Sequence, residues 1–469
     1  MCSFSYHLRI APLLIAAATP SVNAQSCPTS DTWPAGGGDG IRYGRAVDIE
    51  GSFLAVGDYS ANSYTGSVSM REWNRNVWGD PQVLTGTATG EGFGSLLDLS
   101  DNWIAITAPD YNTGAIDMYH HDGENWNYED SYETPGEYTL IHSSMSYPWI
   151  AVAELHESGA LMRVQMLQYD AVNNTWPVGD TLIMPANSDD QAFVSIDDNF
   201  LAVGLPGADI GANVNCGAVW KYERVGGVWT SLGFSTMSEP DGNYGQYVSL
   251  DAATQTLALV QHGDYVSTFE DSTLFIQRYD GNVWVQEPIR EFLTMPWATN
   301  GSQINDISID GDDLVVVLWS RHPVDEWTTH HLHRTSGIWY YQSNITPADE
   351  LTYRSKYVAA MDNGMIVMDG GTLDTDRVVW VIPAEDCDES GRADACEVVL
   401  PGADGNVDGV LDRCMCAGDL DFDSDRDGDD IITFLGLWAG GTAAGDLDGD
   451  GMVNVLDLLV VLKQWGECP

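Results

Sequence analysis

Residues 446–457 read DLDGDGMVNVLD, with oxygen-bearing side chains at loop positions 1, 3, 5, 9 and 12: Asp446, Asp448, Asp450, Asn454 and Asp457. Gly451 at position 6 permits a sharp turn, and Met452 at position 7 offers a backbone carbonyl. Hard cations such as Ca2+ take about six to eight oxygen ligands, and this spacing wraps them around one ion. A second loop, 27 residues earlier, offers Asp419, Asp421, Asp423, Asp427 and Asp430, with Asp425 at position 7. There Ser424 replaces the turn glycine. A left-handed conformation at that serine costs ~1 kcal/mol, so the first loop is expected to bind more weakly. Each loop is followed by apolar residues at i, i+4 and i+7, Ile431/Leu435/Trp438 and Leu458/Leu462/Trp465, which predicts a helix after each.

Other candidate chemistry is thinner. In residues 386–412, Asp386, Asp388, Gly391, Asp394 and Cys396 map onto Asp404, Asn406, Gly409, Asp412 and Cys414 with a period of 18. This reads either as a calcium repeat or as an acidic, disulfide-stapled linker. His330, His331 and His333 offer nitrogen ligands, with His331 and His333 on one strand face, but a solvated strand explains them more simply. Trp297 and Trp327 are aromatic residues outside the repeat pattern and read as packing. The sequence contains no HExxH, GxSxG or GxxxxGK[ST] signature. GEGFG at 90–94 has the glycines of a phosphate loop without a following helix pattern, and reads as a connector. Asp48 and Asp98 recur at one repeat position where Ser144 and Ser195 replace them, so no catalytic carboxylate pair is singled out.

The elements that must carry these residues come from a repeat over residues 40–383. Each copy opens with Asp or Ser between apolar residues, turns on a polar pair, and continues as a fully apolar strand. GRAVDIEGSFLAVGD, FGSLLDLSDNWIAITAP and AFVSIDDNFLAVGLP are examples among seven copies. Turn pairs such as Glu50-Gly51, Asp101-Asn102, Asp198-Asn199, Asp310-Gly311 and Asn363-Gly364 suit hairpins with positive φ. Alternating strands follow, and a tryptophan closes each copy: Trp78, Trp126, Trp176, Trp229, Trp284 and Trp339, spaced 48 to 55 residues apart. Four strands per repeat of about 50 residues predict a seven-bladed β-propeller with apolar inner strands. The seventh copy lacks its closing Trp, while Trp33 stands alone before the first. The N-terminal segment is therefore expected to complete blade seven.

The tokens Phe93-Gly94, Leu-Ala-Val-Gly at 54–57 and 201–204, and Ala-Pro or Leu-Pro at 108–109 and 205–206 resemble the FG-GAP repeats of integrin alpha subunits and bacterial surface proteins. No Asp-x-Asp-x-Asp-Gly loop occurs before residue 386, so calcium is not expected in the propeller. The acidic repeats at 386–412 resemble thrombospondin type 3 repeats. The duplicated loop-helix of the last 50 residues looks like a dockerin domain. That resemblance implies a cohesin-like partner contacted at loop positions 10 and 11, here Gly428-Asp429 and Val455-Leu456. These pairs differ, which disfavours a symmetric dual binding mode.

With 19 Lys+Arg against 70 Asp+Glu, the net charge is −51 and a nucleic-acid footprint is absent. At 44% hydrophobic residues the chain nonetheless needs a core. His7 and Arg9, the apolar run 10–18 and Val22-Asn23-Ala24 read as a signal peptide over 1–24, and no later apolar window spans a bilayer. Of the remaining cysteines, Cys27, Cys387, Cys396, Cys414, Cys416 and Cys468 suggest disulfides, with Cys416 and Cys468 bracketing the last module. Cys216, alone mid-chain, is the expected free thiol.

The expected fold is thus mainly β: a propeller over 25–383, an acidic Asp/Cys linker over 384–416, and a small disulfide-rich, calcium-binding α domain of dockerin type over 417–469. The expected function is an exported, extracellular or cell-surface binding, adhesion or scaffold protein that is not an enzyme. Its propeller would meet a glycan or protein ligand, and its calcium module a cohesin-like or cell-surface protein. A dockerin-tethered, glycan-active hydrolase or lyase is the alternative.

Overall fold

The computed structural model describes residues 31–34 and 42–383, apart from stretches of which the longest are 263–271, 291–301 and 346–358. Of the last 50 residues it describes 425–440 except 427, and scattered positions of 453–467. The signal-peptide expectation over 1–24, the acidic repeats at 386–412, and Cys27, Cys387, Cys396, Cys414, Cys416 and Cys468 fall outside these residues.

Seven sheets of four or five strands, antiparallel but for the parallel pairing of Ile289–Arg290 with Ile338–Asn344, follow one another along the chain and form a seven-bladed propeller. The innermost strands are Val47–Glu50, Leu97–Ser100, Tyr138–Ser146, Phe193–Asp197, Tyr244–Asp251, Ser302–Asp310 and Ala359–Asp362. These alternate in burial, as in Val47–Glu50, because one face packs on the blades and the other looks on solvent. The apolar runs form the second strands, Phe53–Asp58, Trp103–Ala108 and Phe200–Leu205 among them, with every residue buried. Blades cover both of their faces, so period-two alternation is lost. The turns between first and second strands hold positive φ at Gly51, Asp101, Asp198, Gly311 and Gly364, as the turn pairs required.

The ring closes as the missing tryptophan implied. Strand Asp31–Pro34 pairs antiparallel with Asp376–Pro383, placing Trp33 opposite Val379, and completes the sheet of blade seven. Blade seven then packs on blade one through Met365, Val367, Val379 and Val381 against Leu54 and Val56. Two chain-distant segments thus satisfy backbone groups that an open edge would expose.

Between blades the closing tryptophans do the packing. Trp126 meets Phe53 with ring centroids 5.0 Å apart, Trp176 meets Trp103 at 5.3 Å, Trp229 meets Trp149 at 5.8 Å, and Trp284 meets Phe200 at 6.2 Å. All four pairs are edge-to-face, the arrangement that the ring quadrupoles favour. In each, the closing Trp of one blade covers the aromatic that opens the apolar strand of the blade before it.

In the C-terminal region a helix spans Gly428–Gly440, beginning at position 10 of the first loop. Its expected stripe is corrected. Phe434 is the fully buried residue, while Leu435 and Trp438 are exposed. The side chain one position before Leu435 takes the inward place, and Trp438 rests on its ring at 5.7 Å. No helix among the described residues is long and apolar enough to cross a membrane.

Candidate functional site

The propeller's hub is a cavity of about 430 Å³ to which all seven blades contribute. Its wall carries Arg45 and Asp48 from blade one, Asp98 from blade two, His142 and Ser144 from blade three, and Ser195, Ser249 and Asp306 from blades four to six. The alternation of the innermost strands puts these polar groups on the channel face.

The recurring Asp or Ser has a second task. Asp48 Oδ2 accepts the backbone N–H of Leu99 in the next blade at 2.6 Å. Ser144 Oγ accepts Ile196 N–H (3.3 Å), Ser195 Oγ accepts Leu250 N–H (3.1 Å), Ser249 Oγ accepts Ile309 N–H (3.1 Å) and Ser308 Oγ accepts Met361 N–H (3.2 Å). Two residues further along, a second tier repeats the device. Glu50 accepts from Asp101, Ser100 from Tyr147, Ser146 from Asp198, Asp197 from Ala252, Asp251 from Gly311, and Asp362 from Gly51, the last spanning the ring closure. Both residue types hold the blades in register because either offers an oxygen at the same height. Asp98 departs from the pattern. No such blade-to-blade bond is formed by its carboxyl, which stays at the channel beside Asp48.

Electrostatics at the hub follow from this crowding. Burial, then the charge of Asp98, raises Asp48 well above the usual carboxylate range. Burial pushes Asp98 and Asp306 up to about 7 and Glu50 up to about 8. His142 is pushed down to about 4 for the same reason and is neutral. At neutral pH the hub therefore carries protonated as well as ionised carboxyl groups, which together offer hydrogen-bond donors and acceptors.

The sequence-predicted metal positions are largely outside the described residues: Asp419, Asp421, Asp423, Asp427, Asp446, Asp448, Asp450, Met452 and Asp457. The backbone of Asp425 lies in a two-residue strand paired with Gly466–Glu467, Asp430 lies in the first turn of the helix, and Asn454 is half-buried. Among the described residues no group of three His, Cys, Asp or Glu side chains is arranged to hold a metal. The three histidines are not a solvated strand face either, which corrects that reading. His330 and His331 are buried, and His331 Nε2 and His333 Nδ1 both meet Asp313 Oδ1 at 2.7 Å. Cys216 is a free, buried thiol, as expected. Trp297 lies outside the described residues, and Trp327 contributes backbone to the strand Glu326–Thr335.

GEGFG is a connector with a packing role. Phe93 is fully buried, and the carbonyl of Gly94 sits where a Cβ on Gly57 would stand, 2.3 Å away. The same contact recurs 2.2 Å from Gly204 with the carbonyl of Gly245. Tyr244-Gly245 is thus the counterpart of Phe93-Gly94, hidden in the sequence by the Phe-to-Tyr exchange.

No family model matches this chain, and no curated protein matches it by sequence. Solved structures similar to it include the β-propeller domain of the Trilobed protease from Pyrococcus furiosus, 12% identical, covering 73% of this chain and 98% of that one, TM-score 0.46. An acylaminoacyl peptidase is 9% identical over 72% of this chain and 52% of its own length, TM-score 0.47. Saccharomyces cerevisiae Sqt1 is 8% identical over 76% of this chain and all of its own, TM-score 0.40. These neighbours correct the expectation that the chain is no enzyme. The structures similar to it include the propeller domain of a protease and an acylaminoacyl peptidase, and the missing signatures are no evidence against catalysis.

Proposed function

We propose that the chain is an exported, FG-GAP-like propeller that binds a polar, uncharged or cationic ligand at its hub. A dockerin-like calcium module at 417–469 attaches or assembles it at the cell exterior. The single observation that supports the binding site best is the hub itself, where Asp48, Asp98, Asp306 and Ser195 from different blades line one cavity. Protonated carboxyls beside serine hydroxyls match the alternating donors and acceptors of a sugar. The charge of −51 disfavours anionic ligands. The donor sets at Asp446–Asp457 and Asp419–Asp430 support calcium, and the partner of that module would be a cohesin-like or other surface protein. A glycan array probed with the full mature chain tests the reading. Binding should be lost with Asp98→Leu or Asp306→Leu, and binding that survives both variants would move the site away from the hub.

A second reading, cleavage of a glycan, is favoured by Asp48 and Asp98 facing one channel. Glycoside hydrolysis pairs a protonated carboxyl with an ionised one; Asp48 is held well above the carboxylate range and Asp98, at about 7, is the member able to ionise near neutral pH. Reducing ends released by the native chain and not by Asp98→Asn would establish it.

A further inference from the structure

Lysine is rare in this chain, at Lys221, Lys356 and Lys463, and Lys221 is buried with only 3% of its surface exposed. No carboxylate among the described residues pairs with it. Its Nζ donates to Ser235 Oγ at 2.8 Å and stands 5.7 Å from the centre of the Trp284 ring. A buried ammonium without a counter-charge is costly, and burial brings Lys221 down to about 8, where the neutral amine is accessible near physiological pH.

The surroundings are built rather than incidental. Lys221 lies on the third strand of blade four, Ala218–Val225, and Ser235 on the outermost strand, Val228–Thr236. The pairing of these strands shifts register between Trp220 and Tyr222, a bulge centred on Lys221 that aims its side chain at blade five. From blade five, Tyr244 O–H donates to the same Ser235 Oγ at 3.2 Å, and Gln277 Nε2 donates to the Tyr244 oxygen at 3.2 Å. Gln277 Oε1 is buried without a hydrogen-bond partner. Ser235 itself is half-buried. Among the described residues the outermost strand of blade five, Trp284–Gln286, pairs with Gln277–Tyr279.

We propose that Ser235 and Lys221, with Tyr244, form a nucleophile–base site for neutral carboxylic esters between blades four and five. Neutral Lys221 Nζ takes the Ser235 hydroxyl proton as Oγ bonds to the ester carbonyl carbon, with Tyr244 O–H as the donor nearest the developing charge. The bond to the alcohol oxygen then breaks, and that oxygen leaves with the proton from Lys221. Water repeats the exchange: Lys221 takes its proton as its oxygen bonds to the acyl carbon, then returns that proton to Oγ as the Oγ–acyl bond breaks and the acid leaves. Phe275 and Trp284 pack into the same inter-blade cluster, which favours an apolar acyl group. The net charge of −51 opposes anionic esters.

The test is labelling of the full mature chain with a neutral alkyl fluorophosphonate, in which Oγ displaces fluoride from phosphorus and the P–F bond breaks. Peptide mapping should find the adduct on Ser235 at a rate about 100-fold or more above that on Ser231, an exposed serine of the same strand. Lys221→Met should lower the rate by about 100-fold, and Lys221→Arg should not restore it, because a guanidinium does not deprotonate. Labelling of Ser235 no faster than Ser231 would overturn the proposal from the native chain alone. Undiminished labelling in a folded Lys221→Met variant would overturn the role of the lysine.

Discussion

Asp48 and Ser195 lie three blades apart, yet each hands an oxygen to a backbone N–H of the next blade. Ser195→Ala removes one such bond and should cost about 1 kcal/mol in a urea melt; no change in midpoint would show that these bonds do not hold the blades. The recurrence of Asp and Ser was legible in the sequence. Their partner was not, because it lies a whole repeat away and is a backbone group that leaves no mark in the residue types. The raised carboxyls make a pH prediction with a definite sign. Asp98 and Asp306 at about 7 and Glu50 at about 8 bind protons more tightly folded than unfolded, where carboxyls titrate near 4. Their contribution is full below about pH 4 and is lost as pH rises through 7 to 8. Thermal midpoints of the propeller should therefore fall from pH 5 to pH 8, and Asp98→Asn should flatten the decline. A midpoint that rises over that range would contradict the assignment.

Strands and helices show where pattern reading succeeds and where geometry takes over. The apolar second strands were plain from their composition. That the alternating Asp/Ser strands are innermost was not, since alternation reports one wet face without saying whether that face is a channel or the outside. The glycines of Leu-Ala-Val-Gly read as family tokens, but their cause is contact: a methyl on Gly204 would meet the Gly245 carbonyl at 2.2 Å. Gly204→Ala should cost about 1–3 kcal/mol by overpacking, against about 0.5 kcal/mol or less for Gly136→Ala, where nothing lies within 4 Å and the backbone is outside the left-handed region; equal losses of midpoint would contradict the contact. For the helix Gly428–Gly440, periodicity found the element and misplaced its buried side by one residue, because a short stripe of Ile, Leu and Trp does not outweigh a single Phe. If calcium frames this helix, chelation should release its amide protection while the second strands of the propeller keep theirs. Equal exchange with and without chelator would mean that disulfides hold the region instead.

At the scale of the molecule the account stands on ring closure. Seven blades are held by two tiers of side-chain hydrogen bonds and by edge-to-face aromatic pairs, and a ring of this kind is only as stable as its last seam. The sequence pointed to the seam through an absence, the missing Trp of copy seven, and the structure fills it with Asp31–Pro34 on Asp376–Pro383. A ligand for the hub was not legible in the sequence, because wall residues such as Asp48 and Ser195 are also the ones that clamp the blades. The most direct measurement is hydrogen exchange on a chain starting at residue 25 and on one starting at residue 35. The account predicts that removal strips protection from Asp376–Pro383 first, then from Met365–Thr372 and the blade-one strand Phe53–Asp58, and lowers the propeller's thermal midpoint. Unchanged protection in all three strands would show that the ring closes without its N-terminal strand, and would contradict the architecture described.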